Sequence, residues 1–293
     1  MKNICTLLVA VTLCASAKAQ ADTTKPAETP DTLRVGNLLI VKGTGKSSDD
    51  KEENRRYRSY NFNGRRSKKQ SDVSTNWLIL DLGFANYSNQ TDFANTGNYI
   101  YNRPGTSPIG KSDFTLNTGK SINVNIWFFM QQLNLVKHHV HLKYGLGLEL
   151  NNYRYKSNIS YLESNPFVSD QAPAPVIIRD SVSFSKNKLA ADYLTVPFMI
   201  SFRTSPYDGN RGLSISAGVS AGYLYSQRNK QVSNERGKQT NKGNYDLEQF
   251  KFSYIAELGL GPVKLYGSYT PKSIYQNGMD IRPYTIGFRL SNW

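Results

Sequence analysis

The chain has 293 residues, with 36 lysines and arginines against 22 acidic residues for a net charge of +14. Its two cysteines, Cys5 and Cys14, both lie in the first fifteen residues, so the rest of the chain has neither a disulfide framework nor a cysteine metal site. Mean hydropathy is negative although tyrosine and phenylalanine are plentiful, and no stretch approaches the roughly 18 apolar residues of a spanning helix, which excludes a helical membrane protein.

The N-terminus predicts export. Met1-Lys2-Asn3 is a charged start, residues 4–15 are compactly apolar, and Ala17-Lys18-Ala19 before Gln20 fits a small-x-small cleavage site, so residues 1–19 read as a cleaved signal peptide. Leu13 stands where a lipoprotein signal has a small residue, which argues against lipid attachment at Cys14. Export also removes nucleic acid from the partners that the positive charge would otherwise suggest.

Residues 20–75 form a separate arm. Residues 31–42 could make one short strand or hairpin, whereas residues 47–74 are dominated by charge and small polar side chains that cannot bury a core. Asp49, Asp50, Glu52 and Glu53 precede the basic cluster Arg55, Arg56, Arg58, Arg65, Arg66, Lys68 and Lys69. This composition reads either as a solvated periplasmic tether or as a basic arm meeting an anionic periplasmic partner.

From Trp77 onward, long runs alternate apolar and polar residues. In Val140 to Leu150 every even position is apolar and every odd one polar, charged or glycine; Leu213 to Tyr225 repeats the pattern. Successive strand side chains point to opposite faces, so such a run makes one hydrocarbon face and one wet face. Its length suits a membrane-crossing strand of about 9 to 11 residues better than a globular strand of about 5 to 6. Eight such runs are predicted, at 77–87, 121–133, 139–153, 189–203, 213–226, 250–260, 263–269 and 284–293. Connections at 88–120, 156–188, 227–249 and 272–283 are longer and polar; those at 134–138, 205–212 and 261–262 are tight. Long loops at one end and tight turns at the other predict an all-β fold, an eight-stranded antiparallel up-and-down transmembrane β-barrel over residues 76–293 with an N-terminal periplasmic arm.

Register can be tested at Gly261-Pro262. A two-residue turn there pairs Leu260 with Val263, Leu258 with Leu265 and Tyr254 with Tyr269, and sets Glu257 diagonal to Lys264 on the other face. The same alternation places Asp81, His141, Lys143, Glu149, Lys251, Glu257, Lys264 and Arg289 inside, with Asn123, Asn125 and Gln131. Leu78, Leu80, Leu82, Phe84, Ile122, Val124, Ile126, Phe128, Leu194, Val196, Phe198, Ile200 and Phe202 go outside. Eight strands leave a lumen that side chains can fill, so paired charges should plug it. Those charges read as structural pairs or as an ion path or gate. Tyr223, Tyr225, Phe250, Phe252, Tyr254, Tyr269 and Tyr284 fall near the strand ends at the outer surface, where an aromatic belt is expected.

Three features carry a family resemblance: Tyr193-Leu194-Thr195-Val196-Pro197, the small-residue run from Ser216 to Gly222, and the closing residues 284–293. With these the chain resembles the outer-membrane β-barrel proteins of the Bacteroidetes type, often called PorT-like, over residues 76–293. The resemblance implies outer-membrane location and assembly by the barrel-assembly machinery; a secretion role, associated with the family's namesake, is not carried over. Pro197 would break a ladder hydrogen bond and is expected at a bulge. Trp293 is out of phase with Tyr284, Ile286, Phe288 and Leu290, so either a bulge shifts the register near Ser291-Asn292 or the strand ends before it.

Catalytic materials are thin. His138, His139 and His141 sit at a predicted periplasmic turn with no acidic cluster to complete a metal set, and no histidine lies in any external loop, which leaves a Ser-His-Asp assembly there without its base. Gly145-x-Gly147 and Gly259-x-Gly261 lie in alternating strands without a following helix and are expected to relieve crowding. No enzyme, cofactor or metal is expected. The first functional reading is a structural or surface-interaction barrel that touches outer-membrane lipid, with Lys230, Arg236, Lys238 and Lys242 facing lipopolysaccharide or merely conferring solubility. The alternative is a transport or protein-secretion accessory.

Overall fold

The computed structural model describes residues 32–35, 38–41, 71–167, 174–205, 212–261 and 263–291. The signal segment, the basic cluster from Arg55 to Lys69, Pro262 and Trp293 lie outside the described residues. In the N-terminal unit, strands β1 (Thr32–Val35) and β2 (Leu38–Val41) pair antiparallel, Thr32 with Val41 and Val35 with Leu38, as the hairpin reading of residues 31–42 expects.

The second unit contains eight long strands: β3 (Val73–Asn89), β5 (Ile122–Val136), β6 (Val140–Tyr155), β9 (Lys186–Arg203), β10 (Leu213–Ser233), β12 (Phe250–Leu260), β13 (Val263–Tyr269) and β14 (Ile281–Leu290). Each pairs antiparallel with its neighbour in this series; β14 returns to β3, which makes a ring of eight. Closure removes the free strand edges that an open sheet would expose. The β12–β13 register pairs Leu260 with Val263, Leu258 with Leu265 and Tyr254 with Tyr269, as the alternation predicts.

Bulky apolar side chains stand on the outside. Leu80, Leu82, Phe84, Val196, Phe198, Ile200, Phe202, Ile215, Val219, Ile286, Phe288 and Leu290 are all exposed, while polar and charged residues occupy the interior. This inversion of a soluble core needs an apolar solvent outside. At about 3.3 Å per residue and the tilt of such barrels, the 11 residues of β12 span roughly 25 Å, the height of a bilayer's apolar band.

Strict alternation fails at defined points. Between Trp127 and Phe129 the β5–β6 register shifts, so Met130 and Gln132 turn inward, and Gln131, expected inside, is only partly buried and donates to Thr75 (3.1 Å). Leu78, directly across from this bulge, has φ +54° and is exposed together with Trp77. Pro197 makes no bulge: it stays in register opposite Ser220, and the β6–β9 ladder merely omits its own pair and the next, between Tyr144–Phe198 and Gly147–Thr195. The missing N–H therefore costs ladder bonds on one side without a slip. The shift in this region lies at Leu224/Ser226 of β10. The last strand ends at Leu290, short of Trp293.

The long connections are not simply polar loops. They carry β4 (Ile100–Tyr101), β7 (Ile159–Leu162), β8 (Val176–Arg179) and β11 (Gly237–Lys242); β4, β8 and β7 form a small sheet, and β11 extends β10 beyond the ring. A single buried apolar cluster draws on all four connections: Tyr99, Phe114, Ile159, Ile177, Leu247 and Met279 meet strand-end residues such as Tyr153 and Leu189. The reading of these connections as polar therefore holds only in part, because their apolar residues are spread too sparsely along each connection to show a period.

Candidate functional site: a charged lumen beneath a packed cap

The eight expected interior residues all lie inside the ring, each less than a tenth exposed. Arg289 on β14 is the hub. Its Nε and one terminal nitrogen donate to the two oxygens of Asp81 on β3 at 2.6 and 2.7 Å, and its other terminal nitrogen donates to Glu257 on β12. Glu257 also accepts from Lys143 Nζ on β6 at 2.8 Å, and Lys143 donates onward to Ser216 (2.9 Å), which reaches Ser201 (3.0 Å). Thus Glu257, set diagonal to Lys264 by register, takes its ion-pair partners from across the lumen. A second centre joins Lys251 on β12 to Glu149 on β6.

Neutral side chains weld the two centres. Trp127 Nε1 and Asn125 donate to Asp81 (2.7 and 3.2 Å); Asn123 donates to Asn125 (3.1 Å) and to Asn151 (2.9 Å); Asn151 donates to Glu149 (3.0 Å). Thr195 reaches Glu149 (3.4 Å), and the Tyr266 hydroxyl donates to Asn123. Every strand of the ring contributes at least one member to this continuous network. Desolvated charges are tolerable only when paired and hydrogen-bonded, and here each of the three carboxylates meets a cation within reach. Lys264, at the level of Arg289 on the neighbouring strand, is 2% exposed. His141 sits apart near the tight-turn end, and its Nδ1 is buried without a hydrogen-bond partner among the described residues.

Glycines make room for the large interior rings. A Cβ on Gly147 would lie 2.7 Å from the Trp127 ring, and Cβ atoms on Gly83 and Gly287 would lie 2.7 and 2.6 Å from Tyr266. Sequence reading named the charges but missed Trp127, Asn151, Thr195, Ser216 and Tyr266; the phase shared by Asn123, Asn125 and Trp127 was the available signal.

Above the network, the cap closes the end that bears the long connections. The Tyr161 hydroxyl lies 2.6 Å from that of Tyr155 and 2.9 Å from that of Tyr275, while Tyr99 donates to the Tyr245 carbonyl at 2.6 Å. Burial, reinforced by neighbouring phenols, pushes Tyr99, Tyr161 and Tyr275 well above the usual phenol range, so they remain neutral donors. Arg179 clamps Asp113 (2.7 Å), and Arg236 clamps Asp180 (2.9 Å).

The remaining expected residues are placed as follows. Tyr223, Tyr225, Phe250, Phe252, Tyr254, Tyr269 and Tyr284 are all exposed on the outer face. His139 Nδ1 contacts the Arg203 carbonyl and His138 Nε2 lies 3.5 Å from Asn134, so neither joins a cluster with a carboxylate. Among the described residues no group of three potential metal ligands converges.

A closed antiparallel ring, apolar and aromatic outside and charge-paired within, defines a membrane-spanning β-barrel. Residues 80–271 match the family model described as outer membrane protein beta-barrel domain, and the chain belongs to that family. No curated protein matches the sequence.

Proposed function

We propose that this protein is a small, closed, eight-stranded up-and-down outer-membrane barrel with a structural or surface-interaction role and no enzymatic activity, exported through a cleaved signal peptide and carrying a periplasmic arm. The observation that carries this reading is the hydrogen-bonded network that reaches all eight strands and fills the lumen under a packed cap. The lumen cavity lined by Asn125, Trp127, Glu149, Tyr266 and Arg289 is about 30 Å³, room for about one water molecule.

The partners that fit are outer-membrane lipid, lipopolysaccharide at the external rim and the barrel-assembly machinery, with an anionic periplasmic partner for the basic arm. No cofactor is called for. The resemblance to PorT-like barrels of the Bacteroidetes type supports the assignment of compartment. Conductance across a planar bilayer tests the closed barrel: the purified protein should give no stable current steps at moderate voltage. A steady ohmic channel would overturn the reading and favour the transport alternative.

A further inference from the structure

The shift at Leu224/Ser226 has a chemical consequence on the outside of the barrel. Up to Tyr223 the odd residues of β10 face outward; beyond the shift the even ones do, because Ser226 pairs with Asp192, Arg228 with Ala190, Lys230 with Lys188 and Val232 with Lys186. Were Tyr225 to take a ladder position opposite Asp192 instead of being bulged out, Arg228 and Lys230 would point inward beside Tyr153 and Leu189, and Asn229 and Gln231 would point out. The bulge therefore exports two cations from the interior.

These cations meet others across the sheet. Pairing continues the row Lys230–Lys188 to Arg154 on β6 and Thr240 on β11; the row below joins Arg228 to Lys242, and the row above joins Lys186 and Val232 to Lys238. Arg154, Lys186, Lys188, Arg228, Lys230, Lys238 and Lys242 thus share one outer face about 15 Å across. Asp192, opposite Ser226 in the row just below these, is already held by Arg228. Arg236, expected in this stretch, is diverted to Asp180. Like charges directly opposite on neighbouring strands repel, so a row of three is a stable arrangement when an anion shares them.

The position of this face selects the anion. The next rows toward the tight-turn end carry Leu148, Leu194, Tyr223 and Tyr225, the edge of the apolar band. A ligand lying along the face would have hydrocarbon beside the lower rows and negative charge beside the upper ones. An open cleft of about 790 Å³ adjoins it, lined by Glu163, Tyr225, Gln227, Lys242, Asn244 and Gln276, an aromatic and amide lining suited to sugar. We propose that the outward face of the β6–β9–β10–β11 extension is a binding site for the phosphorylated saccharide headgroup of an outer-leaflet glycolipid, lipopolysaccharide, whose acyl chains run down the apolar band.

This inference rests on the surface-interaction reading and narrows it to a site. The test uses the full-length protein folded in detergent, with lipopolysaccharide, phosphatase-treated lipopolysaccharide, phosphatidylglycerol vesicles and inorganic phosphate as probes. Binding is read by fluorescence titration, and folding by the boiling-dependent gel shift. Charge near an anionic lipid surface predicts about a thirtyfold weaker affinity for lipopolysaccharide on Lys188→Gln combined with Lys230→Gln. Lys188→Arg with Lys230→Arg should bind like wild type, as should Lys272→Gln outside the face, and dephosphorylation should weaken wild-type binding. Unchanged affinity of the glutamine pair would overturn the site. Equal binding of phosphatidylglycerol, or competition by millimolar inorganic phosphate, would overturn the glycolipid assignment. A wild-type protein lacking the gel shift would instead defeat the barrel reading on which the inference stands.

Discussion

Arg289→Met keeps most of the side-chain stem and removes the charge that bridges Asp81 and Glu257. The wild-type guanidinium makes three bonds to those carboxylates, two of them to Asp81 at 2.6 and 2.7 Å. Charge-assisted bonds contribute about 1.5 to 3 kcal/mol each, yet the full sum is not lost. Asp81 keeps Trp127 and Asn125, and Glu257 keeps Lys143. Breaking a buried ion pair from one side costs about 3 to 5 kcal/mol, because the abandoned charge stays desolvated, and Arg289→Met should fall in that range. Asp81→Asn placed on top should recover about 1 to 2 kcal/mol by neutralising the abandoned carboxylate. Urea unfolding of the barrel in lipid vesicles, followed by tryptophan fluorescence with the gel shift as a second probe, measures both. A single variant within about 1 kcal/mol of wild type, or a double variant with purely additive loss, would refute the account of Arg289 as the hub.

Two further outcomes follow from packing. Gly147→Val would drive a side chain into the Trp127 ring, 2.7 Å from the position of its Cβ, and should cost about 3 kcal/mol or block folding, whereas Gly119→Ala, with open space around it, should fold normally; equal yields in refolding would remove the assigned role of Gly147. Tyr161→Phe deletes the hydroxyl between Tyr155 and Tyr275 and should loosen the cap by about 1 to 2 kcal/mol. That appears as roughly tenfold faster proteolysis within residues 156–185 while the gel shift persists, and an unaltered cleavage rate would show that the phenol chain does not hold the cap.

Period-two alternation made the barrel legible because each strand separates two solvents. One wrong phase would have placed Lys143 or Glu257 in hydrocarbon, so the interior set from Asp81 to Arg289 could be named residue by residue. The pairing of that set was not legible. Glu257 lies on β12, and its partners come from β6 and β14, at separations of 114 and 32 residues. Nothing local in the sequence singles out these two among the interior cations. The cap was hidden for a related reason: Tyr99, Ile177, Leu247 and Ile274 are buried, but each belongs to a different connection, and a core assembled from single residues leaves no periodic trace.

Bulges are the one place where the alternation misleads, and they do so in a consistent direction. A shift of one residue in β5 turns Met130 and Gln132 inward, and one in β10 turns Arg228 and Lys230 outward. In both cases a strand too long for a single environment changes faces where it leaves one. On β5 the change comes below the charge network, where the interior becomes a small apolar cluster of Ile79, Trp127, Met130 and Met199. On β10 it comes at the aromatic edge of the lipid band, where an outward apolar residue has no further use and an outward cation has an anionic surface to meet. For a given sequence a bulge is the local device that exchanges the odd and even sets together, whereas substitutions would have to exchange every position beyond the edge. Deleting Tyr225 should therefore only remove the surplus residue and let Leu224 run straight into Ser226, with Ser226 still opposite Asp192, Arg228 opposite Ala190 and Lys230 opposite Lys188, so that both cations stay outward. The gel shift and lipopolysaccharide binding should both survive that deletion, and a folded deletion variant that no longer binds would show that the outward face of β10 is not set by register alone.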